Sequence, residues 1–169
     1  MDRETISFQE LYSRYADDVY RFSSWLTADL DEAKDITSET FVRVWLAKND
    51  LRVETVKAYL FAIARNLWLK DKRRKKRLSS IDEEGDSDMP DESSGPEALT
   101  EVRLDLDKTI KAIQKLPEIE RTVVVMRAQD DLSYEDIAGA TGLSVATVKI
   151  KIFRARAKIQ SLVMMEQGE

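Results

Sequence analysis

From Phe8 onward, apolar side chains recur every three or four positions, and that spacing predicts one helix after another. Phe8, Leu11, Tyr12, Tyr15, Val19, Phe22 and Leu26 line one face of a first helix, which Ser7 and Glu10 open as a capping box. A polar break from Thr27 to Asp31 leads to a second helix with Ala33, Ile36, Thr40, Phe41, Val44 and Trp45 inward. After a polar stretch, residues 48–53, a third helix runs from Glu54 to about Leu78, with Val56, Leu60, Ile63, Leu67 and Leu69 inward. The period resumes with Pro96 at a first helical position, and Leu99, Val102, Leu106, Ile110 and Ile113 mark a face ending near Lys115. Pro117 starts another helix carrying Ile119, Val123, Val124 and Met126. Its β-branched run, Val123 to Val125, could pass for a strand, but no partner strand is visible and the flanking charges favour helix.

The last patterned stretch, Ser133 to Lys158, reads as two short helices around a tight turn. Ser133 with Asp136 resembles a capping box, Ile137 and Ala138 begin an apolar face, Gly142 makes the turn, Leu143 plugs the junction and Ser144 caps the next helix. Val148, Ile152, Ala155, Ile159 and Leu162 then form one inward stripe, after which the tail VMMEQGE frays. The other side carries Thr147, Lys149, Lys151, Arg154, Arg156 and Lys158 with no acid between Lys149 and Lys158. A major groove accepts such a helix, and its hydroxyl and guanidinium groups can read base edges. A helical hairpin with a solvated basic face is the plainer reading of the motif alone.

Composition narrows the class. Only five Gly and three Pro among 169 residues, with 35% charged, fit small, almost wholly helical modules. The absence of Cys and His rules out disulfides, thiolate metal sites, zinc fingers and His-based acid–base catalysis. No apolar run approaches the ~18 residues of a membrane span, and MDRETISF lacks the features of a secretory signal, so cytoplasmic residence is expected.

Net charge, −5, hides an uneven distribution: residues 1–78 carry +3, residues 79–100 carry −8, and residues 101–169 are neutral. Ser79 to Gly95 is acidic, Ser-rich and nearly free of apolar residues, too polar to offset the entropy of ordering. It is read as a flexible linker that divides the chain into residues 1–78, 79–95 and 96–169. As a flexible chain it would span ~23 Å on average and at most ~58 Å.

Two further constellations carry chemistry. Lys70 to Arg77, KDKRRKKR, holds seven cations and one acid, with Tyr59, Phe61 and Trp68 just upstream. Bases can stack on aromatic rings while cations follow the backbone, although Phe61 fits the core better. Glu32, Asp35 and Glu39 form an acidic strip on the second helix. A solvated face, a metal site and a docking strip for a basic partner are its three readings, and hard cations usually draw ligands from a loop or several elements instead.

Taken together, FQELYSRYADDVYRFSSWL, AKDITSETFVRVWLA and KAYLFAIARNLWLKDKRRKKR resemble sigma region 2, and LPEIERTVVVMRAQDDLSYEDIAGATGLSVATVKIKIFRARAKI resembles sigma region 4. The chain is thus similar to the two-domain extracytoplasmic-function (ECF) sigma factors of the sigma-70 family. The resemblance implies an all-α fold, a region 2 bundle and a region 4 helix-turn-helix joined by the acidic linker. It implies a promoter-specificity subunit with no active site, cofactor, metal or small-molecule substrate of its own. Glu32, Asp35, Glu39, Thr40 and Arg43 fall where sigma factors grip the β′ coiled coil of RNA polymerase core. Asn66 matches a minus-10 contact, with Tyr59, Trp68, Lys70, Lys72, Arg73 and Arg74 beside it; the 48–56 loop matches the one that pockets a flipped base. Thr147, Lys149, Ile150, Lys151, Phe153, Arg154 and Arg156 belong to the minus-35 face, while region 4 also packs on the β flap. An anti-sigma factor is a further implied partner, and the acidic linker is similar to the segment threaded toward the RNA exit channel.

Two departures stand out. Many relatives carry Ser-Arg where this chain has Ile150 and Lys151, replacing a hydroxyl donor by a group able to touch a thymine methyl. Around Lys70 and Asp71 the acid sits one position later than is common, and Lys replaces Arg in parts of the basic run. The rival reading is a stand-alone helix-turn-helix regulator; a phosphoesterase built on Glu32, Asp35 and Glu39 is more remote.

Overall fold

The computed structural model describes residues 5–47, 56–79, 100–130 and 132–167. Seven α-helices run through them: α1 Phe8–Thr27, α2 Leu30–Ala47, α3 Val56–Ser79, α4 Thr100–Gln114, α5 Glu118–Asp130, α6 Tyr134–Thr141 and α7 Val145–Gln167. The linker and the 48–55 stretch lie outside the described residues, apart from Ser79 at the end of α3.

Local signals set most of the boundaries. At α1 the Ser7 hydroxyl accepts from the Glu10 N–H while Glu10 accepts from the Ser7 N–H, both at 3.3 Å, the reciprocal box expected. The helix ends at Ala28, whose backbone is left-handed (φ 53°) and whose N–H bonds to Ser24 O at 2.9 Å. Asp29 then caps α2, its Oδ1 accepting from the N–H groups of Asp31 and Glu32 at 3.0 Å each. Ser133 caps α6 by accepting from the Asp136 N–H at 3.1 Å, and Gly142 at φ 76° supplies the left-handed turn into α7. The tail differs from its expected fraying: α7 continues to Gln167, because Val163 to Gln167 contains no helix breaker.

Helices α1, α2 and α3 pack around Leu11, Val19, Phe22, Leu26, Ile36, Phe41, Val44, Leu60 and Phe61. Phe22 and Phe61 stack with centroids 4.4 Å apart and planes 5° from parallel. In the other half, α5, α6 and α7 enclose Val123, Met126, Ile137, Val148, Ile152 and Ala155, and α4 lies along α7. Val123 to Val125 is helical, as its flanking charges indicated.

Periodicity misassigned a few side chains. Trp45, placed in the core from its spacing, is 59% exposed, with its ring edge-on to Phe8 at 4.8 Å at the rim of the bundle. Leu106 is likewise exposed, because α4 leans on its neighbours through Ile113 and Ala112 near its end. The halves also meet: α5 and α4 touch α1, and α6 touches α3, so apolar packing is continuous across them.

Candidate nucleic-acid interface

Helix α3 presents two chemically different sides. Asn66, Lys70 and Arg73 follow at spacings of four and three, with Arg74 beside them; all four are exposed, and Tyr59, half-buried, continues the ridge one turn-pair earlier. An amide flanked by three cations can bond a base edge while the charges meet phosphates. Asp71 interrupts the run and bonds Arg74 at 3.0 Å.

Trp68 and Lys72 occupy the other side. Trp68 is 2% exposed, which corrects its assignment as an open stacking platform: in this arrangement no base can reach the ring. Lys72 Nζ lies 4.8 Å from the Trp68 centroid and 3.2 Å from Glu118 Oε1 at the start of α5. The Arg121 guanidinium stands 5.2 Å from the same ring. Burial lowers the Arg121 and Arg65 pKa values, and the charge of Glu118 opposes that in both.

On α7 the exposed groups are Lys149, Ile150, Phe153, Arg154 and Arg156, with Thr147 and Lys151 half-buried. Phe153 is 76% exposed and Ile150 51%, two apolar side chains with no place in the core, flanked by cations. Lys149 Nζ lies 5.3 Å from the Tyr134 centroid, with the Arg127 guanidinium at 4.5 Å from that ring. Thr147 is drawn into the cap of α7: its Oγ1 and N–H bond Ser144 Oγ at 2.8 and 3.2 Å. Lys158, read from spacing as part of the basic face, instead holds the buried Glu120 carboxylate at 2.8 and 3.0 Å.

The acidic strip of α2 is split as well. Glu32 bonds Lys75 at 3.2 Å and is partly shielded. Burial raises the Glu32 pKa against the pull of Lys75. Burial would raise the Asp71 carboxyl too, but its hydrogen bond with Glu32 and the Lys75 and Arg74 charges hold it below the usual range. Asp35 and Glu39 remain exposed, Glu39 facing Arg43 at 3.4 Å. Thr40 is fully buried, as its place on the inward stripe indicated, and its hydroxyl donates to Ile36 O at 2.7 Å, so the contact role implied by the resemblance is corrected for this residue. Sequence reasoning missed Val42 and Leu46, which continue the Asp35–Glu39 face at spacings of three and four and are 47% and 70% exposed. The signal was there, as apolar residues lying off the core stripe.

Among the described residues, no group of three or more His, Cys, Asp or Glu could hold a metal ion, and no helix is long and apolar enough to cross a membrane. A cavity of about 430 Å³ between Trp25 and helices α4, α5 and α7 is lined by apolar groups with Thr109, Gln129, Arg156 and Gln160. That lining contains no acid–base pair or activated nucleophile of the kind catalysis uses.

Residues 11–78 match the family model for Sigma-70 region 2, and residues 106–159 match that for Sigma-70, region 4. The ECF RNA polymerase sigma factor SigE of Mycolicibacterium smegmatis is 32% identical over 166 residues, 96% of this chain and 64% of that protein, so the chain spans just under two thirds of that relative. The RNA polymerase sigma-H factor of Pseudomonas aeruginosa is 33% identical over 142 residues, 78% of this chain and 72% of the relative. Among solved structures, the sigma factor RpoE of Bartonella quintana, in complex with the anti-sigma factor NepR, superposes with a TM-score of 0.75 at 23% identity, covering 93% of this chain and 96% of that one. With both halves matched in order and relatives aligned along most of its length, the chain belongs to the ECF RNA polymerase sigma factors of the sigma-70 family, whose function is promoter-specific transcription initiation.

Proposed function

We propose that this chain reads a promoter with two separate surfaces while α2 holds it on RNA polymerase core. The supporting observation is the exposure of two unlike reading faces, one on each half. The α3 ridge of Asn66, Lys70, Arg73 and Arg74 suits a melted minus-10 strand, where an amide selects a base and cations hold the backbone. The α7 face of Lys149, Ile150, Phe153 and Arg154 suits a minus-35 major groove, where apolar groups meet thymine methyls. Residues 1–78 and 96–169 act as the two functional units. Core is met by Asp35, Glu39 and Arg43, joined by Val42 and Leu46, a mixed face of the kind that forms protein interfaces. Region 4 packs on the β flap. The protein is regulatory and works in the bacterial cytoplasm, and its restraint is a protein of the kind that NepR is for the Bartonella factor.

Start-site mapping of transcripts made by core polymerase with and without the chain tests this. Specific starts are expected only with the chain present. Asp35→Lys should weaken core binding at least tenfold, and Asn66→Ala should flatten minus-10 preference more than it lowers affinity. Tight binding of a duplex operator by the chain alone, unimproved by core, would favour the stand-alone regulator.

A further inference from the structure

The cavity of about 430 Å³ between Trp25 and helices α4, α5 and α7 has no part in promoter reading. Its walls are apolar, with Ile113 from α4, Val124 and Val125 from α5 and Ile159 from α7. A hollow of this size and lining falls within the ~300–1,000 Å³ range of small-molecule sites, and an apolar guest gains there by leaving water. Its polar groups are few and select by charge. Arg156, one of the cations expected at minus-35, is the only charged residue of the lining; it is exposed, and Gln160 stands one turn further along α7, exposed as well. With a cation and no acid in the lining, an anionic head group is the complementary one. The Thr109 hydroxyl already donates to Asp105 O at 2.9 Å. Gln129 differs: its amide nitrogen and oxygen are both shielded and have no protein hydrogen-bond partner. Such a group is uncommon and unfavourable in a folded chain. Turning it toward a guest breaks no bond, and the guest then supplies the partner that the fold does not.

We propose that this cavity is a binding site for an amphipathic carboxylate, in chemical class a medium-chain fatty acid. Its chain lies against Ile113, Val124, Val125 and Ile159, and its carboxylate meets Arg156. A guanidinium is a planar fork that can donate to both oxygens of a carboxylate, which a lysine in the same place could not do. The amide of Gln129 or Gln160 donates to an oxygen that the fork leaves open. The inference does not depend on the promoter reading, because every group it uses is present in the free chain.

Calorimetry on the full chain, without core or DNA, tests the site with hexanoate, octanoate and decanoate below their micelle concentrations. Each methylene that enters should tighten binding about threefold to fourfold, the transfer free energy of one buried CH₂. Decanol keeps the chain and lacks the charge, and should bind several-fold more weakly than decanoate, the scale of a partly exposed ion pair. Arg156→Gln should bring decanoate down to the decanol level and leave decanol itself unchanged. Gln129→Leu should also weaken decanoate, and since that variant is expected to gain stability, the loss cannot be ascribed to misfolding. Decanoate should change the emission of Trp25, and Trp25→Phe should abolish that change while calorimetry still records binding. Affinities that do not rise with chain length, decanoate and decanol that bind alike, or an Arg156→Gln variant that holds decanoate as well as the parent overturns the proposal. So does a second copy of the chain covering the cavity, seen in sedimentation as a dimer that decanoate leaves intact. None of these readouts involves transcription, so failure of the promoter reading would appear separately, in the start-site assay.

Discussion

Lys158→Met is the substitution that best separates a structural cation from a DNA-binding one. Lys158 lies on α7 within the basic run, yet its ammonium holds both oxygens of Glu120, whose side chain is 6% exposed. Removing one partner of a fully buried pair costs about 3–5 kcal/mol because the other charge is stranded. Here the Lys158 side chain is 47% exposed, so water reaches the site and the cost falls to about 2 kcal/mol. In a chain of this size that lowers Tm by roughly 4–8 °C. Glu120→Leu together with Lys158→Met removes both charges and should recover most of the loss. Thermal unfolding by circular dichroism reads the first effect. The second readout is the salt dependence of promoter binding by the holoenzyme, in which each lost phosphate contact lowers the log–log slope by ~0.9. The slope should stay unchanged. If Tm moves by less than a degree while the slope falls by one contact, Lys158 is a phosphate ligand and the pairing with Glu120 is incidental.

Other perturbations test the local physics. Gly142 sits at φ 76°, where a side chain strains the backbone even in open space, so Gly142→Ala should cost about 1 kcal/mol; Ala28 at φ 53° is the mirror case, and Ala28→Gly should recover a few tenths to 1 kcal/mol, both read by denaturant melts. The Gln129 side-chain amide is shielded without a protein hydrogen-bond partner, so Gln129→Leu should raise stability by about 1 kcal/mol. Carboxyl titration by NMR should find Glu32 above, and Asp71 below, their ordinary ranges. Glu32, raised, favours the fold only while protonated and loses that contribution as pH rises through its own titration; Asp71, lowered, contributes above the ordinary aspartate range and loses it as pH falls. Lys75 is raised, its partial burial outweighed by Glu32 and Asp71, so its contribution disappears only as pH rises past the ordinary lysine range.

What the sequence revealed and what it hid follow from one geometric fact. Period reports the side of a helix that faces its largest neighbour. Val148, Ile152 and Ala155 therefore declared themselves, as did the capped starts at Ser7 and Ser133, where a hydroxyl and a nearby N–H are enough. Thr40 was placed inward by its spacing and on the core-binding face by the resemblance; burial, with its hydroxyl bonded back to Ile36 O within its own helix, favours the spacing. Val42 and Leu46 were passed over because a second apolar stripe on α2 has no meaning until Ala33, Ile36 and Val44 are known to face inward.

Helix α3 is the fullest case. Its first inward side is written in the spacing at Val56 and Leu60, though Ala64 is buried where Ile63 and Leu67 were expected and these are only half-buried, and its exposed ridge of Lys70 and Arg73 is written in the charge. Trp68 and Lys72 belong to a third side, created only when α5 arrives from another part of the chain with Arg121 and Glu118. An aromatic beside a run of cations is the local signature both of a nucleic-acid platform and of a seat for a second domain, because rings attract arginine and lysine as readily as they attract bases. No reading of α3 alone can separate the two.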